Sequence, residues 1–436
     1  MACNGGGLTF RAGPAHETTW AIMDGQVQLL LFSSLVVLLL ALVAAYATRT
    51  RWIRWLHHQI TQRAPIPVRR HGTRLANFLI PSWRSSGLGR DRTPRELEER
   101  LAATSAKKKI DFCALGGVYL DLLLRPVTTT SRGHILPSEI NELDLRLGGS
   151  AIYVAKFMQD RSSRYRVRLV SMIGKDRAWA SEIKSQMRHP ALPRTRLVKS
   201  PSQSGTAIHL LDNSDSRIAT LNHAGALKNL TWSSALKHVQ RALRHGSGVL
   251  YISSVFRTTL HSGIVDGIRG LSPSVLVVVD HGRLLPADSR AVTDDIERAF
   301  RQGYIDVYIA TYDELISLAE LRLPSLLEEI DPRAEHRHVI EAIARSNILP
   351  RVTVIRGEVH DNRLVAVTVI DGFVDVMQYD GDRFISRNRI GSKSSFNAAF
   401  IDNLVGRDSR GSSLPVRVKE ATLAGLAVWA AEDISR

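Results

Sequence analysis

Cysteine is scarce in this 436-residue chain: there are two, Cys3 and Cys113. They flank an apolar run, which argues against a disulfide between them, and no Cys/His cluster has metal-site spacing. The fifteen histidines are scattered and read as solvated or core side chains. Acidic residues are scarce in one stretch. Residues 47–110 hold fifteen Lys/Arg against four Asp/Glu, so much of the formal net charge of +16 belongs to that stretch. Only a mild basic excess is left for the rest of the chain. RNA-binding aromatic motifs and zinc-finger spacings are absent too, so no nucleic-acid partner is expected.

Charge is missing altogether between Asp24 and Arg49, and Leu29 to Ala47 is apolar except for Ser33, Ser34 and Tyr46. About 20 such residues cross a bilayer core as a helix. We expect a short extracytoplasmic N-terminus over 1–26 and one transmembrane helix over 27–48. Ala45-Tyr46-Ala47 also resembles a signal-peptide cleavage site. The preceding region is not basic, however, and the run is long for such a peptide. Arg49, Arg51, Arg54 and Arg63 follow directly, with Trp52 and Trp55 as interfacial anchors. Positive charge favours the cytoplasmic side. The expectation is a single-pass cell-membrane protein, N-terminus out and main domain cytoplasmic. Its basic flank would lie against anionic lipid headgroups. Residues 49–109 read as a basic juxtamembrane linker with Pro65, Pro67 and Pro81. A short helix is expected around Pro94 to Leu101, and Lys107-Lys108-Lys109 reads as a solvated charge run.

From Ile110 to the end, apolar strand-like runs alternate with helical stretches. Strands are expected at Ile110–Leu115, Val167–Ile173, Gly248–Ser253, Val275–Asp280, Val307–Ala310 and Arg351–Arg356. Helices are expected at 151–159, 178–187, 232–244, 294–302, 312–321, 338–346, 396–404 and 418–432. This alternation points to an α/β fold with a mostly parallel sheet. Short β-like segments near 121–147 and 206–221 interrupt the rhythm, the second turning at Asn213-Ser214-Asp215-Ser216. They suit a small lid over the strand ends, where open α/β sheets place ligands.

One late turn carries a candidate anion site. Gly391-Ser392-Lys393 precedes Ser394 and Ser395, which can cap a helix whose buried stripe is Phe396, Phe400 and Leu404. Unpaired N–H groups at such a helix start attract phosphate. A plain loop-plus-cap reading stays open beside this one. Lys393, with Arg356 and Arg389, would complete an anion pocket, or Lys393 is simply solvated.

The order of these pieces resembles the ribokinase-like (PfkB) family of sugar and nucleoside kinases. The landmarks are Gly116-Gly117-Val118-Tyr119-Leu120-Asp121, Gly148-Gly149-Ser150-Ala151, Gly174-Lys175-Asp176 and Ser204-Gly205-Thr206-Ala207. Asp280 at a strand end, Thr311-Tyr312-Asp313-Glu314 and Arg356-Gly357 continue the series. The resemblance implies a three-layer α/β sandwich with a small β lid over 110–436. It also implies ATP and Mg2+ as cofactors and transfer of the γ-phosphate to a substrate hydroxyl. By the same resemblance, Asp121, Gly148 and Gly149 would contact substrate. Gly357, Gly391, Ser392 and Lys393 would contact phosphate, and Glu314 would support magnesium through water. Asp121 and Glu314 also have plain structural readings, as a strand-end carboxylate and a first-turn residue suited to the helix dipole. Many members pair through the lid, and Leu122, Leu123, Leu124 and Ile208 permit such a homodimer here.

Departures from the family pattern cluster on contact positions. Aligned on Gly391 and Phe396, the Asp that serves as general base becomes Ser394, and a glycine becomes Lys393. Tyr119 and Tyr153 replace substrate-contacting Asn residues, Thr311 replaces the Asn of the magnesium motif, and Ile355 replaces a phosphate-contacting Thr. A serine hydroxyl does not accept a proton near neutrality, and losing a general base costs about 10²–10⁴-fold. The expected function is a membrane-anchored pseudokinase that binds a nucleotide, sugar or phosphorylated metabolite. The alternative is an active sugar or nucleoside kinase with an atypical site.

Overall fold

The structure is a computed structural model of the chain. It describes residues 95–125, 142–189, 192–211, 217–283, 285, 289–330, 335–346, 348–360, 363–380, 392–406 and 412–432. The expected membrane span and most of the expected linker lie outside the described residues. Among the described residues, no helix is long and apolar enough to cross a membrane.

The first described element is helix α1 (Arg95–Ser105), followed by strands β1 (Ile110–Leu115), β2 (Tyr119–Arg125) and β3 (Glu142–Gly148). Helix α2 (Ser150–Arg161), β4 (Tyr165–Ile173), α3 (Arg177–Gln186), β5 (Arg194–Lys199), β6 (Thr206–Leu211) and β7 (Arg217–His223) come next. Then follow α4 (Trp232–Ala242), β8 (Ser247–Ile252), α5 (Ile264–Arg269), β9 (Ser274–Asp280), α6 (Arg290–Arg301), β10 (Val307–Thr311) and α7 (Tyr312–Arg322). The C-terminal part adds α8 (Pro324–Glu328), α9 (His336–Arg345), β11 (Val352–His360), β12 (Arg363–Ile370), β13 (Phe373–Asp380), α10 (Ser392–Leu404) and α11 (Leu414–Glu432).

Nine strands form one sheet in the order β13-β12-β11-β10-β9-β8-β1-β4-β5, parallel from β5 to β11 and antiparallel at β12 and β13. Both faces are covered by helices, which is why β1 and β8 are buried along their whole length. One face packs Phe112, Leu169, Val249 and Val278 against α1, α2, α10 and α11. The other packs Leu115, Met172, Leu250 and Val277 against α4, α5 and α6. The lid is a separate four-stranded sheet, β3-β2-β6-β7. Sandwich and lid agree with the fold class expected from the alternation.

The folded unit takes in residues assigned above to the linker. Leu97 and Leu101 of α1 are 2% and 1% exposed in the main core, and Arg100 pairs with buried Asp306. Arg351 Nη1 donates to Glu98 at 2.6 Å. Lys107 and Lys109 are not merely solvated: they donate to the carbonyls of His245 and Ser163, just past the ends of α4 and α2. Cations suit that negative end of a helix. The hairpin β12–β13 was not anticipated, although Asp371-Gly372 between two alternating runs is a strong hairpin signal. Both turn residues have positive φ, 51° and 83°.

Candidate functional site

The C-terminal ends of the parallel strands converge beneath the lid, and there the start of α10 meets the start of α2. Helix α10 begins at Ser392, earlier than expected, so Ser394 and Ser395 lie within its first turn instead of capping it; Phe396, Phe400 and Leu404 are essentially unexposed. Gly391 and Arg389 lie outside the described residues. Ser394 is 6% exposed, and its hydroxyl donates to Ser150 Oγ at 3.1 Å. Ser150 in turn shares a 3.0 Å hydrogen bond with the Tyr251 hydroxyl.

Tyr251 leads to a buried charged cluster. Asn397 Nδ2 donates to Tyr251 at 3.0 Å and to Asp280 Oδ1 at 3.2 Å. Arg356 Nη2 donates to the same Asp280 oxygen at 3.0 Å. Its Nη1 donates to Asn397 Oδ1 at 3.0 Å and to the Lys393 carbonyl at 3.1 Å. Asp280 and Arg356 are 3% and 4% exposed. Burial pushes the Asp280 carboxyl above the usual carboxylate range; Arg356 pulls it down and Glu314 adds to the rise. Asp280 cannot serve as a general base for a group held at Ser394. It is paired, and the Asn397 amide between them donates in both directions and passes no proton.

This placement takes Arg356 out of the expected anion pocket. The Arg356 guanidinium is committed to Asp280 and to the first turns of α10, while the Lys393 side chain is exposed. Gly357 also has a structural role. A Cβ there would lie 2.1 Å from the Val365 carbonyl of the neighbouring strand, so its small size serves the β11–β12 approach. Asn397 and Tyr251 were not singled out from the sequence; nothing in their local pattern distinguishes them from core residues.

Glu314, the residue expected to support magnesium, is likewise engaged by protein groups. Glu314 Oε2 accepts from Thr311 N at 2.9 Å, and Thr311 Oγ1 accepts from Glu314 N, a capping box at the start of α7. Arg356 Nη2 stands 3.9 Å from the same carboxylate oxygen. A guanidinium at that distance opposes a second cation, so these residues do not fit a magnesium ion. Among the described residues, no three His, Cys, Asp or Glu side chains are grouped to hold a metal.

On the lid side, Tyr119 fills the space that glycines leave. A Cβ on Gly117 would lie 2.7 Å from its ring, and on Gly149 or Gly205 3.1 Å from it. Gly149 also has φ 104° and approaches the Gly117 carbonyl, so it is needed as glycine on both counts. Asp121 is 3% exposed beside His209, with 3.4 Å between His209 Nε2 and Asp121 Oδ2. Its carboxylate lies against Gly148, where a Cβ would come within 1.8 Å of Oδ2. The structure thus brings Asp121, Gly148 and Gly149 together, packed against protein groups. Asp176 of the Gly-Lys-Asp turn caps α3 through Ala180 N and accepts from Ser204 N and Oγ, tying that turn to the lid. Burial would raise its carboxyl, but these hydrogen bonds hold it below its usual value.

No protein-family model matches the sequence, and comparison with the curated proteins returns no match. Solved structures do match. A ribokinase from Thermotoga maritima superimposes with a TM-score of 0.51 at 15% identity, over 73% of this chain and 93% of that one. An adenosine kinase from Trypanosoma brucei brucei superimposes with a TM-score of 0.55 at 16% identity, over 76% and 100%. A 2-dehydro-3-deoxygluconokinase from Thermotoga maritima gives 0.52 at 14%, over 73% and 92%. At such identities the likeness establishes the fold: a ribokinase-like α/β domain with a nine-stranded, mostly parallel sheet and a four-stranded lid.

Proposed function

We propose that this chain is a ribokinase-like protein that has given up phosphoryl transfer and serves as a ligand-binding pseudokinase. It would bind a nucleotide, a sugar or a phosphorylated metabolite, held at the inner face of the cell membrane by the apolar segment 29–47. One observation carries the reading. Where transferase chemistry needs a base, a cation and open space, the chain holds a closed network from Ser394 through Ser150, Tyr251 and Asn397 to the Asp280–Arg356 pair. Phosphoryl transfer depends on positioned groups that stabilise charge on the moving phosphate. Here those groups are bonded to one another. The Tyr119 ring against Gly117, Gly149 and Gly205 supports the same reading on the substrate side.

The anchoring is supported by the uncharged run after Asp24 and the arginines that follow it. A homodimer through the lid is supported by Leu143 and Leu221, 64% and 63% exposed on its two edge strands. Leu123, by contrast, is buried and unavailable for such a contact.

The test is ATP turnover by the full-length protein with a mixed sugar and nucleoside panel in magnesium buffer. Ligand binding without turnover is expected. Turnover that disappears on changing Asp121 or Glu314 would refute the reading and establish the atypical kinase instead.

A further inference from the structure

An open cleft of about 590 Å³ lies at the C-terminal ends of β8 and β9, beside the end of lid strand β7. Its walls carry His223 and Lys228 from the lid side, Phe256, Arg257 and His261 from the turns after β8, and Arg283 from just past β9. Three of these are cations and two are histidines; among the described residues no Asp or Glu lines the cleft. The carboxylate that acts on His261 is Asp295 of α6, and it is already engaged, accepting from Gly263 N at 2.6 Å and pairing with Arg298.

The frame that presents these cations is rigid. Arg257 Nε donates to the Gly282 carbonyl at 2.7 Å, which fixes the plane of its guanidinium. Gly282 has φ 87°, and a Cβ there would lie 2.2 Å from Ser254 Cα, so only glycine lets the two turns meet. Ser254 itself is held at φ 50°, an uncommon conformation for a serine. The Thr259 hydroxyl donates to the Lys228 carbonyl and ties the lid-side loop to the turn after β8. Arg257 and Arg283 also act on the buried Tyr119 phenol, so the cleft adjoins the filled substrate side.

We propose that this cleft binds a small phosphorylated metabolite: a phosphate ester on a hydroxyl-bearing body of sugar or nucleoside size. It deepens the function proposed above and rests on its ligand-binding half. A concave site lined by Lys228 and the fixed guanidinium of Arg257 focuses positive potential on an anion. Guanidinium groups pair with phosphate oxygens through charge-assisted hydrogen bonds. The volume is within the usual range for small-molecule sites and exceeds what a bare phosphate needs. The open, charged space lies next to the Tyr119 region.

The test is calorimetric titration of the full-length protein in detergent with ribose 5-phosphate and with AMP. Ribose, adenosine and sulfate serve as controls. At least one phosphate ester should bind with a Kd of about 1 mM or tighter, the neutral compounds should not bind, and sulfate should bind at least about tenfold more weakly. Exposed Lys228, changed to Glu, should weaken binding about tenfold without unfolding risk, and Arg257→Ala should do the same. Absence of binding, equal binding of sulfate, or Lys228→Glu within about twofold of the parent would overturn the cleft. Two results separate the cleft from the pseudokinase reading. ATP turnover with Lys228-dependent phosphate binding would remove the pseudokinase reading and leave the cleft. Binding lost on Lys393→Ala and kept on Lys228→Glu would remove the cleft and leave the reading.

Discussion

Replacing Arg356 by methionine keeps most of the side-chain volume and removes the charge. Asp280 would then be a buried carboxylate at 3% exposure with its counter-charge gone. At 3.0 Å and an effective dielectric near 20, the attraction lost is about 5 kcal/mol, part of which only offset desolvation. Breaking one side of a buried pair costs about 3–5 kcal/mol, and the orphaned Asn397 carbonyl adds about 1 kcal/mol. The assay is urea unfolding of the compact unit Gly87–Arg436. Arg356→Met should be destabilised by about 4 kcal/mol. The double variant Arg356→Met with Asp280→Asn should recover to within about 2 kcal/mol of the parent, because no charge is left unpaired. A loss below about 1 kcal/mol for the single variant, or a double variant no better than the single, would refute the idea that this pair closes the site.

Ser394→Asp should give no measurable ATP-dependent phosphorylation, because Arg356 stays bonded to Asp280 and Asn397; turnover in this variant would contradict this. Burial lowers His281 from its ordinary 6.5 to about 3. A folded neutral histidine contributes stability that is complete above pH 6.5 and is lost as pH falls toward 3, at up to about 1.4 kcal/mol per pH unit. His261 and His238 shift in the same direction. In His281→Phe, the pH dependence of the urea midpoint between pH 6 and 4 should flatten by about one proton's worth. A chain starting at residue 106 lacks Leu97, Leu101 and the Arg100 partner of Asp306. It should be less stable than one starting at residue 87 by several kcal/mol, of which the unpaired Asp306 accounts for about 3; equal melting of the two would show that α1 adds nothing.

Much of the fold was legible because its signals are local. Parallel strands buried on both faces are continuous apolar runs, and β1 begins and ends where the run Ile110–Leu115 does. Helix α10 announced itself through its four-residue apolar stripe. The Asp371-Gly372 hairpin is equally local, a two-residue turn between two alternating runs. Helix α1 was expected, but the basic composition around it suggested a solvated linker. Its burial follows from Leu97 and Leu101 meeting strands far along the chain, a contact that composition does not encode.

Sequence by itself determined that no Asp or Glu stands between Gly391 and Ile401 and that an uncharged run precedes a basic stretch. Both are matters of which side chain stands where, and no folding is needed to read them. What only the tertiary structure decided is which groups meet near Ser394. Arg356 and Asp280 end strands β11 and β9, which are separated in the sheet by β10, and they meet because the sheet's order brings both ends to one place. Tyr119 reaches three glycines from three segments, and Arg257, Arg283 and Lys228 share one cleft, for the same reason. Such contacts depend on crossover connections between distant strands, and only the folded sheet and lid specify them.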